Sequence, residues 1–156
     1  MGSEVAAPAS FVPSRDRVME FERALAAYTE QTGCALDADE LTTHWFAPGI
    51  YARELRIPAG TCLTGKIHKG PHLNIISAGR ISVLTEHGVV TLEAPCTLKS
   101  DAGIKRIGFA HTDTVWTTIH ACPDNCTDLA ILEERFIAPN FDALPHTEPD
   151  KCLSGG

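Results

Sequence analysis

The feature that most constrains this chain is a run of short β-forming segments between residues 51 and 120, cut at regular intervals by turn residues. Segments 51–57, 61–68, 72–77, 80–86, 89–92, 104–110 and 114–120 are rich in β-branched and aromatic residues, which suit a pleated, half-buried surface. Between them lie Pro58-Ala59-Gly60, Lys69-Gly70-Pro71, Ala78-Gly79, His87-Gly88, Ala94-Pro95 and Asp101-Ala102-Gly103. Each contains a Gly or Pro whose backbone angles permit a tight reversal. Short strands at this even spacing predict an all-β sandwich or barrel.

Helical patterns flank the β region. Val18, Phe21, Leu25 and Tyr28 recur at helical spacing, Pro13-Ser14 is a start signal and Gly33 a stop, so 14–33 is predicted to be one amphipathic helix. Its apolar stripe is expected to dock on the domain or on a second subunit. Thr127 or Asp128 caps a second helix through Leu129, Leu132, Glu133 and Phe136, stopped by Pro139. The predicted division is a flexible arm at 1–13, a helix at 14–33, a barrel with its C-terminal helix at 41–139, and a flexible tail at 140–156. His44, Trp45 and Phe46 would form an edge strand or a dimer contact.

At 156 residues with 13 Lys plus Arg against 20 Asp plus Glu, a net charge of −7, the chain reads as one acidic domain that repels phosphate backbones and anionic lipids. Bulk nucleic acid and membrane are therefore excluded as partners, and the expected location is cytoplasmic. Six cysteines contain no C-x-x-C pair, and reduced thiols are expected. Exposed sheet edges together with an apolar helix stripe predict a homodimer or higher homo-oligomer.

The chemistry concentrates in 60–79. Alternation along a strand puts Lys66 and His68 on one side. After the turn it puts His72 and Asn74 on one side, opposite Leu73 and Ile75, which read as packing residues. Four converging polar groups are costly to bury unpartnered, so they line a ligand pocket or face water. Adding Arg106 makes a donor-rich set on an acidic protein, suited to a small anion or nucleotide. The plain alternative pairs Lys66 and Arg106 with Glu54, Glu93 or Asp113. Trp116, on one strand face with Thr118 and His120, is either core or a ring that stacks on the ligand.

The run from Gly60 to Gly79 resembles the first motif of the cupin superfamily, with Lys66, His68 and His72 at three of its ligand positions. The second motif falls on Pro95, Thr97 and Ser100. Gly65-Lys66-Ile67-His68, His72-Leu73-Asn74-Ile75, 105–108 and 113–120 further resemble small phage-encoded cupin-like proteins. The resemblance implies a single jelly-roll β-barrel, mainly β, with an N-terminal amphipathic helix and a short C-terminal helix. It also implies a divalent iron, manganese or zinc ion as an alternative, on His68, His72 and His120. A lysine at the first ligand position opposes this, since an ammonium is repelled by a dication.

The leading functional expectation is a binding protein that holds an anionic or nucleotide-like ligand through Lys66, His68, His72, Asn74, Arg106, Trp116 and His120. In the phage setting of the resemblance, this means sequestering a host signalling metabolite in the host cytoplasm. Two alternatives stand beside it. One is an enzyme, either metal-dependent or a metal-free isomerase or epimerase using His68 or His72. The other is a structural or assembly scaffold.

Overall fold

The structure, a computed structural model, describes residues 12–144. Most of the arm and of the tail, with Cys152, lies outside the described residues. Helix α1 (Arg15–Thr32) starts where the Ser14 hydroxyl accepts the Arg17 N–H and ends at Gly33 in the left-handed conformation. It is followed by β1 (Thr42–Ala47), β2 (Gly49–Ile57), β3 (Cys62–Thr64), β4 (Ile67–His68), β5 (His72–Ala78), β6 (Arg80–Thr85), β7 (Gly88–Glu93), β8 (Cys96–Ser100), β9 (Ile107–Ala110) and β10 (Thr114–Cys122). Helix α2 (Leu129–Phe136), β11 (Ile137–Ala138) and a 3-10 turn at Phe141–Ala143 complete the described chain. That turn occupies the start of the segment read as a flexible tail; its Phe141 ring lies under the Arg15 guanidinium, 3.9 Å from the centroid.

Two antiparallel sheets face each other, in the orders β1-β2-β10-β5-β8 and β3-β9-β6-β7. The chain passes from one sheet to the other so that β2, β10, β5 and β8 oppose β3, β9, β6 and β7. With eight strands so ordered, the protein is a jelly roll. A core of Ile57, Ile76, Ile81, Val83 and Ala110 fills the space between the layers, flanked by Leu55, Leu63, Leu98 and Trp116. The corner from β5 to β6 is made at Gly79, with φ +87. A Cβ there would lie 2.2 Å from the Asp113 carbonyl oxygen, so only glycine fits.

Three details differ from the sequence reading. Of segment 104–110, only Ile107–Ala110 is a strand. Segment 61–68 is not one strand: β3 pairs with β9, the chain leaves the sheet at Gly65-Lys66, and β4 pairs with β11. And β8, which the sequence reading left unassigned, completes the five-stranded sheet against β5.

The predicted stripe of α1 is only partly covered. Val18 is buried, and Glu22 meets Lys105 at 2.6 Å, but Phe21 and Tyr28 stay exposed. Edge strand β1 also presents Trp45 and Phe46 to solvent. No described helix is long and apolar enough to cross a membrane.

Candidate functional site

Between the sheets lies a cavity of about 110 Å³, whose walls include His68, His72, Asn74, Arg53, Arg106, Trp116 and Thr118. The inward face of β5 carries His72, Asn74 and Ile76, all buried, whereas Leu73 is 47% exposed. The polar group therefore faces the interior, and Leu73 lies on the outer face rather than packing.

Asn74 is the hub of this wall. Its Oδ1 accepts from Trp116 Nε1 and from the Thr118 hydroxyl, each at 2.9 Å, and its Nδ2 donates to Ser100 Oγ at 2.6 Å. Arg106 donates to the same Ser100 oxygen. Trp116 is thus held by its indole N–H with its ring along the cavity wall, adjoining the core cluster. The cross-strand neighbours Thr118↔Asn74 and His72↔Ser100 set these contacts by register.

Arg106 has no carboxylate partner among the described residues: Glu54 pairs with Arg56, and Asp113 accepts from the Ala59 N–H. Burial pushes the Arg106 pKa down from its ordinary value, because a guanidinium removed from water favours its neutral form. Lys66 behaves differently. It stands at the cavity mouth, its side chain 42% exposed, and its ammonium pairs with Glu133 of α2, a residue that the sequence reading did not consider as its partner.

Arg53 was missed by the sequence reading. It lines the cavity from β2, in an inward row with Tyr51, Leu55 and Ile57, and it forms no ion pair with a described carboxylate. A lone cation within an otherwise apolar alternating row was the available signal.

The three histidines come together as a stack. The His68 and His72 ring centroids are 4.0 Å apart, and His120 lies 5.2 and 5.4 Å from them. Phe136, at the end of α2, covers His120 at 4.2 Å, so the helix and β11 close this end of the barrel. Burial, and then the neighbouring His72 and His120, hold His68 down to about 2. Burial and His72 hold His120 to about 4. His72 Nδ1 donates to the Gly70 carbonyl at 3.0 Å, which leaves its Nε2 as an acceptor. His68 Nδ1 is buried without a hydrogen-bond partner.

The planes of the three rings lie 15 to 40° from parallel. Among the described residues, no group of three or more His, Cys, Asp or Glu side chains is placed to hold a metal ion. The expected His68, His72 and His120 ligand set is not among such groups. The five described cysteines are free thiols.

No protein-family model and no curated protein matches the chain. Solved structures similar to it include a cupin domain from Bordetella pertussis Tohama I (18% identity, 52% of this chain and 91% of that one, TM-score 0.42). Others are a cupin-2 domain containing protein from Shewanella frigidimarina (8%, 61% and 92%, TM-score 0.43) and KdgF from Halomonas sp. (11%, 61% and 88%, TM-score 0.46). At such identities these likenesses concern the fold alone, and the jelly roll itself rests on the strand order.

Proposed function

We propose that this chain is a binding protein whose barrel holds a small anionic group, with Arg106 as its principal contact. The observation that carries the reading is a half-buried guanidinium on the cavity wall, unmatched by any described carboxylate and oriented by Ser100. An anion compensates a cation that burial would otherwise disfavour, and a planar carboxylate or a phosphate takes two N–H bonds from it. Arg53 adds a second positive group to the same wall.

Volume narrows the ligand. About 110 Å³ corresponds to roughly three or four waters at ~30 Å³ each. That admits the acid end of a molecule, and it leaves any nucleoside portion outside the cavity.

Thermal-shift and calorimetric titration with acetate, propionate, malonate and phosphate tests the reading on wild type, Arg106→Met and Asn74→Asp. At least one anion should stabilise wild type. Arg106→Met should remove the effect, and so should Asn74→Asp, which sets a carboxylate one residue from the guanidinium through Ser100. Equal shifts in all three proteins, or no shift with any anion, would overturn it.

A further inference from the structure

A larger cleft of about 650 Å³ lies under α1 and plays no part in holding the anionic group. Its far wall is one face of the helix, with Leu25, Ala26 and Thr29, continued by Leu36 and Leu41 of the connector. Its near wall is shared with the inner cavity: Arg53, Leu55, Ile57, Leu63, Gly65 and Lys66 line both. The two spaces therefore adjoin, with Arg53 and Lys66 where they meet. Of the charged groups around the cleft, Glu22 is committed to Lys105 and Lys66 to Glu133. The rest of the wall is mainly aliphatic.

Such a shape has two chemically distinct ends. The inner end is small and cationic, and the outer end is within the ~300–1,000 Å³ range of small-molecule sites. No ladder joins β2 to β3 on this side, where β3 is the edge of its sheet. Helix α1 roofs it loosely, with Tyr28 and Leu36 60% and 53% exposed.

We infer that the ligand is an amphipathic acid whose carboxylate enters the inner cavity and whose apolar body lies in the cleft beneath α1. This inference rests on the anion-binding reading and adds the class of molecule. Charge complementarity fixes the orientation: the acid end faces Arg106 and Arg53, because among the described residues the rest of the outer cleft offers it no free cation. The occupant is a small molecule and not a peptide helix or a second copy, because the apolar wall is continuous with a pocket too narrow for either.

Calorimetric titration of the full chain with straight-chain carboxylates from propionate to decanoate tests it. Each methylene buried in the cleft contributes about 0.8 kcal/mol, so affinity should rise about fourfold per carbon over the first several carbons. Leu25→Glu should reduce that rise toward onefold. Leu36→Asp, at an exposed position whose replacement does not endanger folding, should reduce it as well. Alkylamines of matched length should not bind.

Affinity independent of chain length in wild type would overturn the inference and leave the anion site standing. So would a slope unchanged in both variants, whereas equal binding of the amines would overturn the anion reading as well. Failure of every carboxylate to bind would overturn the anion reading, and the inference with it.

Discussion

Replacing Asn74 by alanine removes the hub from which the cavity wall is built. Asn74 is 1% exposed, and its amide makes three hydrogen bonds, to Trp116, Thr118 and Ser100. At a net ~1 kcal/mol each, the loss amounts to about 3 kcal/mol. Water entering the enlarged cavity can return part of the acceptor to Trp116 and Thr118, which sets the expectation at about 2–3 kcal/mol. For a domain of this size that lowers Tm by about 4–12 °C. Ser100 keeps Arg106 as a donor and contributes least to the penalty. Urea unfolding followed by far-ultraviolet circular dichroism, at constant m-value, measures the change. A double-mutant cycle with Thr118→Val isolates one bond, with an expected coupling of about 1 kcal/mol. A cost below about 1 kcal/mol for Asn74→Ala, or strict additivity in the cycle, would refute the assignment of Asn74 as the organising residue.

Acid should destabilise the fold through the histidine stack. His68 and His120 titrate near 2 and 4 in the folded chain against an ordinary 6.5, so the unfolded state binds the extra protons. Their contribution is complete above pH 6.5 and declines below it, by up to about 1.4 kcal/mol per pH unit for each histidine. Urea titrations between pH 7 and 4.5 should show this slope reduced in His120→Phe, and a slope shared equally by wild type and variant would contradict it. Protein purified without chelator should contain no stoichiometric iron, manganese or zinc by elemental analysis; a full equivalent of metal, lost on His68→Ala, would make the three histidines a metal site. Sedimentation should find a homo-oligomer held through the exposed β1 edge, weakened by Trp45→Glu, and a monomer mass across a wide concentration range would exclude it.

Local chemistry made much of the fold legible. Ser14, Gly33 and Asp128 act at the helix ends where capping rules put them, because a cap is settled within four residues. The alternating segments became β2, β5, β6, β7, β9 and β10 for the same reason. Strand β8 was missed because five residues beginning at Cys96 directly follow the Ala94-Pro95 turn and carry little β-branched character. The break at Gly65-Lys66 was equally hidden. It depends on the Gly65 N–H donating to the Arg106 carbonyl at 2.7 Å, across 41 residues of sequence. Asn74, Arg106 and the histidines could be singled out as a polar set, but not their partners. The Lys66–Glu133 pair joins positions 67 apart, and only the docking of α2 brings them together. Arg53 was legible in principle, as the one charge in an apolar alternating row.

The bond between Arg106 and Ser100 joins two layers that share no ladder. Ser100 ends β8 in the five-stranded sheet, and Arg106 leads into β9 of the four-stranded one. An anion takes other N–H groups of the same guanidinium, so occupancy adds a removable tie to the built-in one. Relative breathing of the two sheets then becomes a property of the contents of the barrel as well as of its sequence, set by how often the ligand arrives and how long it stays.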